Sequence, residues 1–504
     1  MEETGRNIMV GNTAPRHIHD IEKPEKDYTF LPDKPKSTSV SLNDIIHNKM
    51  RFEASAFDLE AKAAINLVKY SKYGYVYLWS NNGLVANAFH RPRFKRLFVE
   101  KSAFPIFQPS AISEIYPKAQ QYISEKTDTN IDLLKVKKGM VLLTISGTIG
   151  KSSFVSSTLD GNILSHDLLR ISGKEQYDGG YIYTFFKTDT GQKILQSNNY
   201  GAVVEHIEPE HLQNVVIPNA PEDIKNTIHR LIETSYELRD ESNELMDKAE
   251  DILYEELSLP SLDDLKVSYF RDIDNVRNFQ VKLSRLNMRF DGSYHLPLID
   301  IIEDHIKKHA KDVKKLKDPT LSQKIILPGR FKRVYVDKNN GVPFFGGKQL
   351  LELSPNCEKY LSKALHKERV AEQLLLKENC ILVTRSGTIG KTNIVPKHLE
   401  NWAANEHILR IFPFSSDISG YLYCWLNSEY GYSLITRNTY GAVVDEIDSN
   451  HLGDVSIPLL KNQDKQKEIN SLVLKANQLR SDAYYKEQEA IRIMNEDVIG
   501  VPKN

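Results

Sequence analysis

Cysteine is scarce: Cys357, Cys380 and Cys424 are the only three in 504 residues, and all lie in the second half. None forms a Cys-x-x-Cys pair or a Cys/His spacing suited to zinc, so no metal is expected and the thiols read as reduced and structural. Long apolar runs are missing too. Without a stretch of ~18 apolar residues no membrane span is expected, and the polar, proline-dotted first 40 residues lack the apolar core of a secretory signal. The expected compartment is the cytoplasm. Catalytic signatures are also absent: no Gly-x-Ser-x-Gly elbow, HExxH helix, zinc-deaminase signature or Asn/Asp-Pro-Pro-Tyr methyltransferase motif occurs, and Phe345-Gly-Gly347 is too short to count as a cofactor loop. The chain reads as a reader and not an enzyme, with no cofactor of its own.

Net charge is small, but the total of −1 hides a segregation. Glu222 to Glu256 holds 12 acidic and 4 basic residues, a net of −8, which leaves +7 on the rest. Such asymmetry says more about partners than the sum does. With 40% apolar and 26% charged residues the composition is that of an ordinary globular protein.

What the sequence does have is a duplication. Thr144-Ile-Ser-Gly-Thr-Ile-Gly-Lys151 returns 240 positions later as Thr384-Arg-Ser-Gly-Thr-Ile-Gly-Lys391. The offset holds through Leu168-Leu-Arg-Ile171 and Ile408-Leu-Arg-Ile411, through Tyr200-Gly-Ala-Val-Val204 and Tyr440-Gly-Ala-Val-Val444, and through Ile217-Pro218 and Ile457-Pro458. Upstream, Met50-Arg-Phe-Glu-Ala-Ser55 matches Met288-Arg-Phe-Asp-Gly-Ser293. Two units of this size make a tandem domain duplication and not a solenoid.

In chain order, residues 1–36 read as a flexible arm and 37–220 as the first globular unit. Short strands are expected at Tyr73–Trp79, Phe94–Val99, Val141–Ile145 and Ser153–Ser156, and a helix over Gly180–Leu195. Each unit is therefore α+β. In residues 221–257 the positions Ile224, Ile228, Leu231, Ser235, Leu238, Ser242, Leu245, Ala249 and Ile252 step by 4 and 3, a heptad seam. Residues 258–285 read as a linker, 286–460 as the second unit and 496–504 as a tail. In 461–495, Ile469, Leu472, Ala476, Leu479, Ala483, Lys486, Ala490 and Ile493 form a second seam. Each helix would be roughly 45–50 Å long at ~1.5 Å per residue. Each seam is the other's obvious partner; packing of each helix on its own globular unit is the alternative.

The Gly-Thr-Ile-Gly-Lys-Ser/Thr turns carry the ending of a phosphate-binding P-loop. That loop needs a glycine where Ile145 and Arg385 stand, and a helix directly after it, whereas Ser-Phe-Val-Ser and Asn-Ile-Val-Pro read as strands. A turn of this kind can instead approach a phosphodiester, with Ser146, Thr148, Lys151, Ser386, Thr388 and Lys391 as donors. It is equally consistent with a hairpin that closes the sheet. Arg385 opposes Ile145, and unlike residues at matched positions are where two copies could read different sequences. Further candidates for DNA contact are Arg91, Arg93, Lys95 and Arg96, paralleled by Arg330, Lys332 and Arg333, and the rings of Tyr200 and Tyr440. His166, Asp167 and His206 read as satisfied polar residues, since Glu406-His407 shifts the histidine by one position.

The Ser-Gly-Thr-Ile-Gly-Lys turns, the Arg-Phe-Glu/Asp openings and the Ile-Pro exits leading into long helices together resemble the specificity subunit of type I restriction-modification systems, from about residue 37 to 495. Exits in that family commonly carry a Gln three before an Ile, as Gln466 and Ile469 do; Lys225 replaces it before Ile228. The resemblance implies two similar α/β target-recognition domains separated by two long helices paired as an antiparallel coiled coil. Each domain would read one half of a split site in double-stranded DNA. Two methyltransferase subunits using S-adenosylmethionine, and an ATP-driven motor-nuclease restriction subunit, would be the partners. The competing readings are an interaction scaffold with two protein-binding domains, an NTPase, or a recognition subunit of another DNA-modifying defence system.

Overall fold

The computed structural model describes residues 39–47, 50, 57–91, 94–119, 121–146, 149–197, 206–269, 279–286, 288–355, 357, 359–441 and 445–501. The chain divides into two units, Met1–Met50 and Arg51–Asn504. In the first, α1 spans Leu42–His47; the expected arm at 1–36 lies outside the described residues.

The second unit contains the duplication. Its first half holds α2 (Leu59–Lys69), β1 (Tyr75–Tyr77), β2 (Val85–Phe89), β3 (Phe98–Val99), β4 (Pro105–Phe107), β5 (Gln121–Ile123), β6 (Val141–Thr144), β7 (Ser152–Phe154), β8 (Ile163–Leu164), β9 (Leu168–Gly173), α3 (Asp178–Lys187), α4 (Asp189–Ser197) and β10 (Val216–Pro218). Strand β6, with every residue buried, lies between β9 and β7 in a sheet ordered β2-β9-β6-β7. A second sheet is ordered β3-β5-β4-β8, and β1 pairs with β10. The long α5 (Glu222–Glu256) and the short α6 (Leu262–Tyr269) follow, so the expected linker contains a helix.

The second half repeats this plan with α7 (Pro297–His309), β11 (Asp312–Lys315), β12 (Ser322–Ile326), β13 (Tyr335–Val336), β14 (Gly341–Phe345), β15 (Tyr360–Ser362), α8 (Lys367–Arg369), β16 (Ile381–Thr384), β17 (Thr392–Ile394), β18 (Ala403–Ala404), β19 (Ile408–Pro413), α9 (Ser416–Asn427), α10 (Glu429–Thr436), α11 (Ser449–Gly453), β20 (Ser456–Leu459) and α12 (Gln463–Arg492). Its sheets are β12-β19-β16-β17, β13-β15-β14-β18 and β11-β20. Even the register repeats: Thr144 opposes Leu168, and Thr384 opposes Ile408.

One expected helix is in fact two. Gly180–Leu195 breaks at Thr188, whose extended backbone ends α3 and whose hydroxyl accepts from Gly191 N (3.0 Å) to start α4. Ser428 makes the same break, accepting from Gly431 N (3.1 Å). The hydroxyl offers the backbone an alternative to the helical bond, and the chain turns. The strand expected over Phe94–Val99 is confined to Phe98–Val99.

The two long helices pair antiparallel. Ser235 Oγ donates to Ala483 O (2.7 Å), Arg480 Nε donates to Ser242 Oγ (3.0 Å), and Lys475 Nζ meets Glu241 Oε1 at 3.0 Å. Small residues at the crossing permit this approach. Both packing alternatives hold at once, because the apolar face is wider than a heptad seam. Ile228, Ile252 and Ile469 of the seam are buried, whereas Leu231, Leu238, Leu245, Leu472, Leu479 and Ile493 are only half-buried. A neighbouring stripe, including His229, Ile232 and Tyr236, is buried instead. It fastens α5 to the first domain, where Tyr236 meets Phe154 and Tyr183 edge-on with ring centroids 5.5 and 5.7 Å apart. Each such ring pair contributes roughly 0.5–1.5 kcal/mol beyond its buried area.

Close approach also ties each domain to its helix at a glycine. Gly180 N donates to His229 Nδ1 (3.2 Å) and Gly420 N to Asn470 Oδ1 (2.8 Å). A Cβ on Gly180 would lie 2.7 Å from His229 Cα, and one on Gly420 would lie 2.5 Å from Asn470 O. Among the described residues no helix is long and apolar enough to cross a membrane.

Candidate nucleic-acid interface

In each half a turn leaves the central strand of the main sheet. After β6, Ile145 and Ser146 lead to Gly150, at φ +90°, and Lys151; after β16, Arg385 and Ser386 lead to Gly390, at φ +83°. Strands β7 and β17 follow directly, so neither turn opens a helix whose N-terminus could hold a nucleotide phosphate.

Around the first turn is a cleft of about 170 Å³ lined by His90, Arg91, Ser146, His166, His206 and Glu208. His90 Nε2 lies 2.7 Å from Glu208 Oε2, and His166 Nε2 lies 3.3 Å from Asp167 Oδ1. In the second half the same junction has other chemistry. Arg385, buried, donates from Nε to Ile447 O (3.1 Å) and pairs with Glu446; Arg333 pairs with Glu406; Ser386 Oγ is 2.8 Å from His407 Nδ1. Burial alone would raise the Glu406 pKa, but hydrogen bonds and the Arg333 and His407 charges lower it. The first half thus presents histidines where the second presents an arginine–glutamate mesh. Among the described residues no group of His, Cys, Asp or Glu could hold a metal ion.

The other candidates divide into three sets. Arg93, Thr148, Tyr200, the Arg51–Ser55 opening and Gly201–Val204 lie outside the described residues. Lys95, Lys332 and Thr388 are exposed, Arg330 is mostly exposed and 3.6 Å from Glu446 Oε1, and Tyr440 is 39% exposed. Arg96 is held by Gln108 Oε1 at 3.2 Å, and Lys391 is half-buried. Lys151 is engaged: its Nζ lies 2.6 Å from Glu352 Oε1, in the other domain.

No protein-family model matches the sequence, and no curated protein matches it. Solved structures do. A type I restriction-modification S subunit from M. genitalium is 10% identical over 84% of this chain and 98% of that one, with a TM-score of 0.31. An HsdS subunit from Thermoanaerobacter tengcongensis is 15% identical over 84% and 96%, with a TM-score of 0.26. A chain from a structural study of type I R-M complex assembly and conformational transition is 14% identical over 83% and 96%, at 0.25. With scores this low, a functional reading has to stand on the chain's own duplication, paired helices and matched turns.

Two sets of residues escaped notice in the sequence. Arg170 and Arg410, in the repeated Leu-Arg-Ile, are wholly buried. Arg170 donates to Leu168 O (2.9 Å), Leu164 O (2.8 Å) and Leu134 O (3.1 Å), and Arg410 to Ile408 O (2.5 Å) and Ala404 O. They lace the loop before β9 and β19 to its strand, and burial pushes both pKa values down to about 10. The second set, Glu114 and Glu352, occupies one matched position 238 apart, a coincidence visible in the duplication.

Proposed function

We propose that this chain is the DNA-specificity subunit of a type I restriction-modification complex. The observation that carries the reading is a duplicated α+β domain fastened to an antiparallel helix pair, with unlike side chains at the matched turns. Each domain reads one half of a split site in a major groove. Because Arg385, Glu406 and Glu446 stand where the first domain has Ile145, His166 and His206, the half-sites differ and the site is asymmetric. The helices set the gap between them. The acidic α5 suits a protein-facing surface better than a DNA-facing one. Two methyltransferase subunits dock on the helix pair. S-adenosylmethionine and ATP belong to those partners and to the motor-nuclease subunit; this chain supplies cytoplasmic recognition and no catalysis.

The test is selection from a random duplex library, using the tagged chain with the subunits that copurify from its host. The expected result is two short defined blocks around an unspecified gap, with affinity falling steeply as salt rises. Partners copurifying with no enriched sequence would sink the reading in favour of an interaction scaffold. Removing one matched heptad from both helices should alter the gap and leave the half-sites intact.

A further inference from the structure

The two domains touch each other beside the middle of the helix pair. Ile115 N donates to Leu351 O (2.7 Å), which sets Glu114 opposite Glu352 in an antiparallel bridge. Since these glutamates are one position of the repeat, the bridge lies on the pseudo-twofold axis relating the halves. Ile115 and Leu353 are buried there against Ala483 of α12, with Leu238 and Tyr484 packed around them. The segment is also tied to α5, where the Tyr116 hydroxyl donates to Asp247 Oδ1 (2.7 Å) and Lys118 Nζ lies 3.7 Å from Glu250 Oε2.

Two carboxylates facing each other in a half-dry contact repel unless cations stand between them. Lys151 meets Glu352 at 2.6 Å, and the side chain of that glutamate is 10% exposed. Lys391 acts on Glu114, whose pKa is raised by burial, lowered by Lys391 and raised again by Glu352. The contact is thus closed from one side: the first domain's glycine turn directs Lys151 to the other domain's Glu352, while Lys391 acts on Glu114 only through its charge, at longer range.

We propose that the Lys151–Glu352 ion pair, set on the Glu114–Glu352 bridge, forms a cross-domain clamp that positions the two DNA-reading domains and so determines the gap of the split site. Helix length alone sets a distance along the axis, but a domain held on one side of a helix can still tilt about that attachment. A charged contact on the symmetry axis removes the tilt for both domains at once. Lys151 is then a positioning residue and not a phosphate contact. This inference rests on the split-site reading.

The test uses the intact complex in the same library selection, scored by gap length. Wild type should enrich one gap. Glu352→Lys, which opposes Lys151 with a like charge, should spread enrichment over at least two gap lengths with both half-sites unchanged. Adding Lys151→Glu should restore the single gap. The salt dependence of binding should keep its slope in Lys151→Ala, whereas loss of a phosphate contact would lower it by about one. An unchanged gap in Glu352→Lys, or a slope lowered in that way, overturns the clamp. Failure of wild type to enrich any split site sinks the functional reading instead. The clamp is then judged without DNA, from energy transfer between dyes at Lys101→Cys and Lys338→Cys, both exposed, in a Cys357→Ser background. A distance distribution that broadens in Glu352→Lys and narrows in the double variant supports it, and one that does not move overturns it.

Discussion

Glu487 belongs to α12 but is 1% exposed, and it joins both helices to the first domain. The Tyr183 hydroxyl donates to its Oε1 (2.5 Å), Arg239 Nη2 donates to its Oε2 (2.6 Å), and Lys187 Nζ lies 3.6 Å away. Burial alone would raise the carboxyl pKa; Arg239, Lys187 and the Tyr183 hydroxyl outweigh it and hold it at about 2. Glu487→Gln keeps the shape and leaves the Arg239 guanidinium, 14% exposed, without a counter-charge. Removing one partner of a buried pair costs about 3–5 kcal/mol. The titration gives a similar figure, since carrying a glutamate from its ordinary value to about 2 corresponds to roughly 3 kcal/mol. Because the folded value is the lower one, this stabilisation is complete at pH 7. It declines below about pH 4.5 and is lost as pH falls through about 2. Urea unfolding of wild type and Glu487→Gln at pH 7 should show the full deficit, shrinking on acidification below pH ~4. Arg239→Met with Glu487→Met should recover most of it. A deficit under ~1 kcal/mol at pH 7, or a double variant no better than the single, would refute the reasoning.

Arg410→Met should cost about 3–5 kcal/mol, because it strands the carbonyls that guanidinium now satisfies; an unfolding midpoint equal to wild type would count against this. In Gly420→Ala the new methyl meets the backbone of Asn470. About 1–3 kcal/mol of destabilisation is expected, with amide exchange accelerated where α9 joins α12; protection equal to wild type at that junction would contradict it. Among the thiols, half-buried Cys357 should react with a maleimide in the native protein, and buried Cys380 and Cys424 only after denaturation. Burial pushes the Cys380 pKa up to about 11, which slows it further. Three equally fast thiols would show that the second domain opens.

Local pattern made much of this molecule readable. Heptad spacing located both long helices, and the identical turns announced two equivalent domains before any contact was known. Features that depend on distant partners were not readable in this way. Lys151 ends a glycine turn that suits phosphate, yet its partner Glu352 is 201 residues away. Arg170 stands in an apolar strand, where a charged residue reads as solvent-facing; its acceptors are carbonyls of the preceding chain, at Leu134, Leu164 and Leu168, that the fold curls around it. The seam was read as one stripe because Ile, Leu and Ala recur in it at heptad spacing, whereas the adjoining His229 and Tyr236 are polar-tipped and escape an apolar count. The helix break at Thr188 had a visible cue in Thr-x-x-Gly, repeated as Ser428-x-x-Gly.

The two arginines at the helix crossing bear on how the halves can be combined. Arg239 and Arg480 occupy the same position of the repeat, as do Met246 and Glu487. Arg239 has its glutamate; Arg480 is 3% exposed, and no carboxylate among the described residues pairs with it. A chain built from two second halves would bring a glutamate to each arginine, while one built from two first halves would bring methionine to both. The order in which halves are recombined is therefore not neutral, and the second half is the one equipped to pair with a copy of itself.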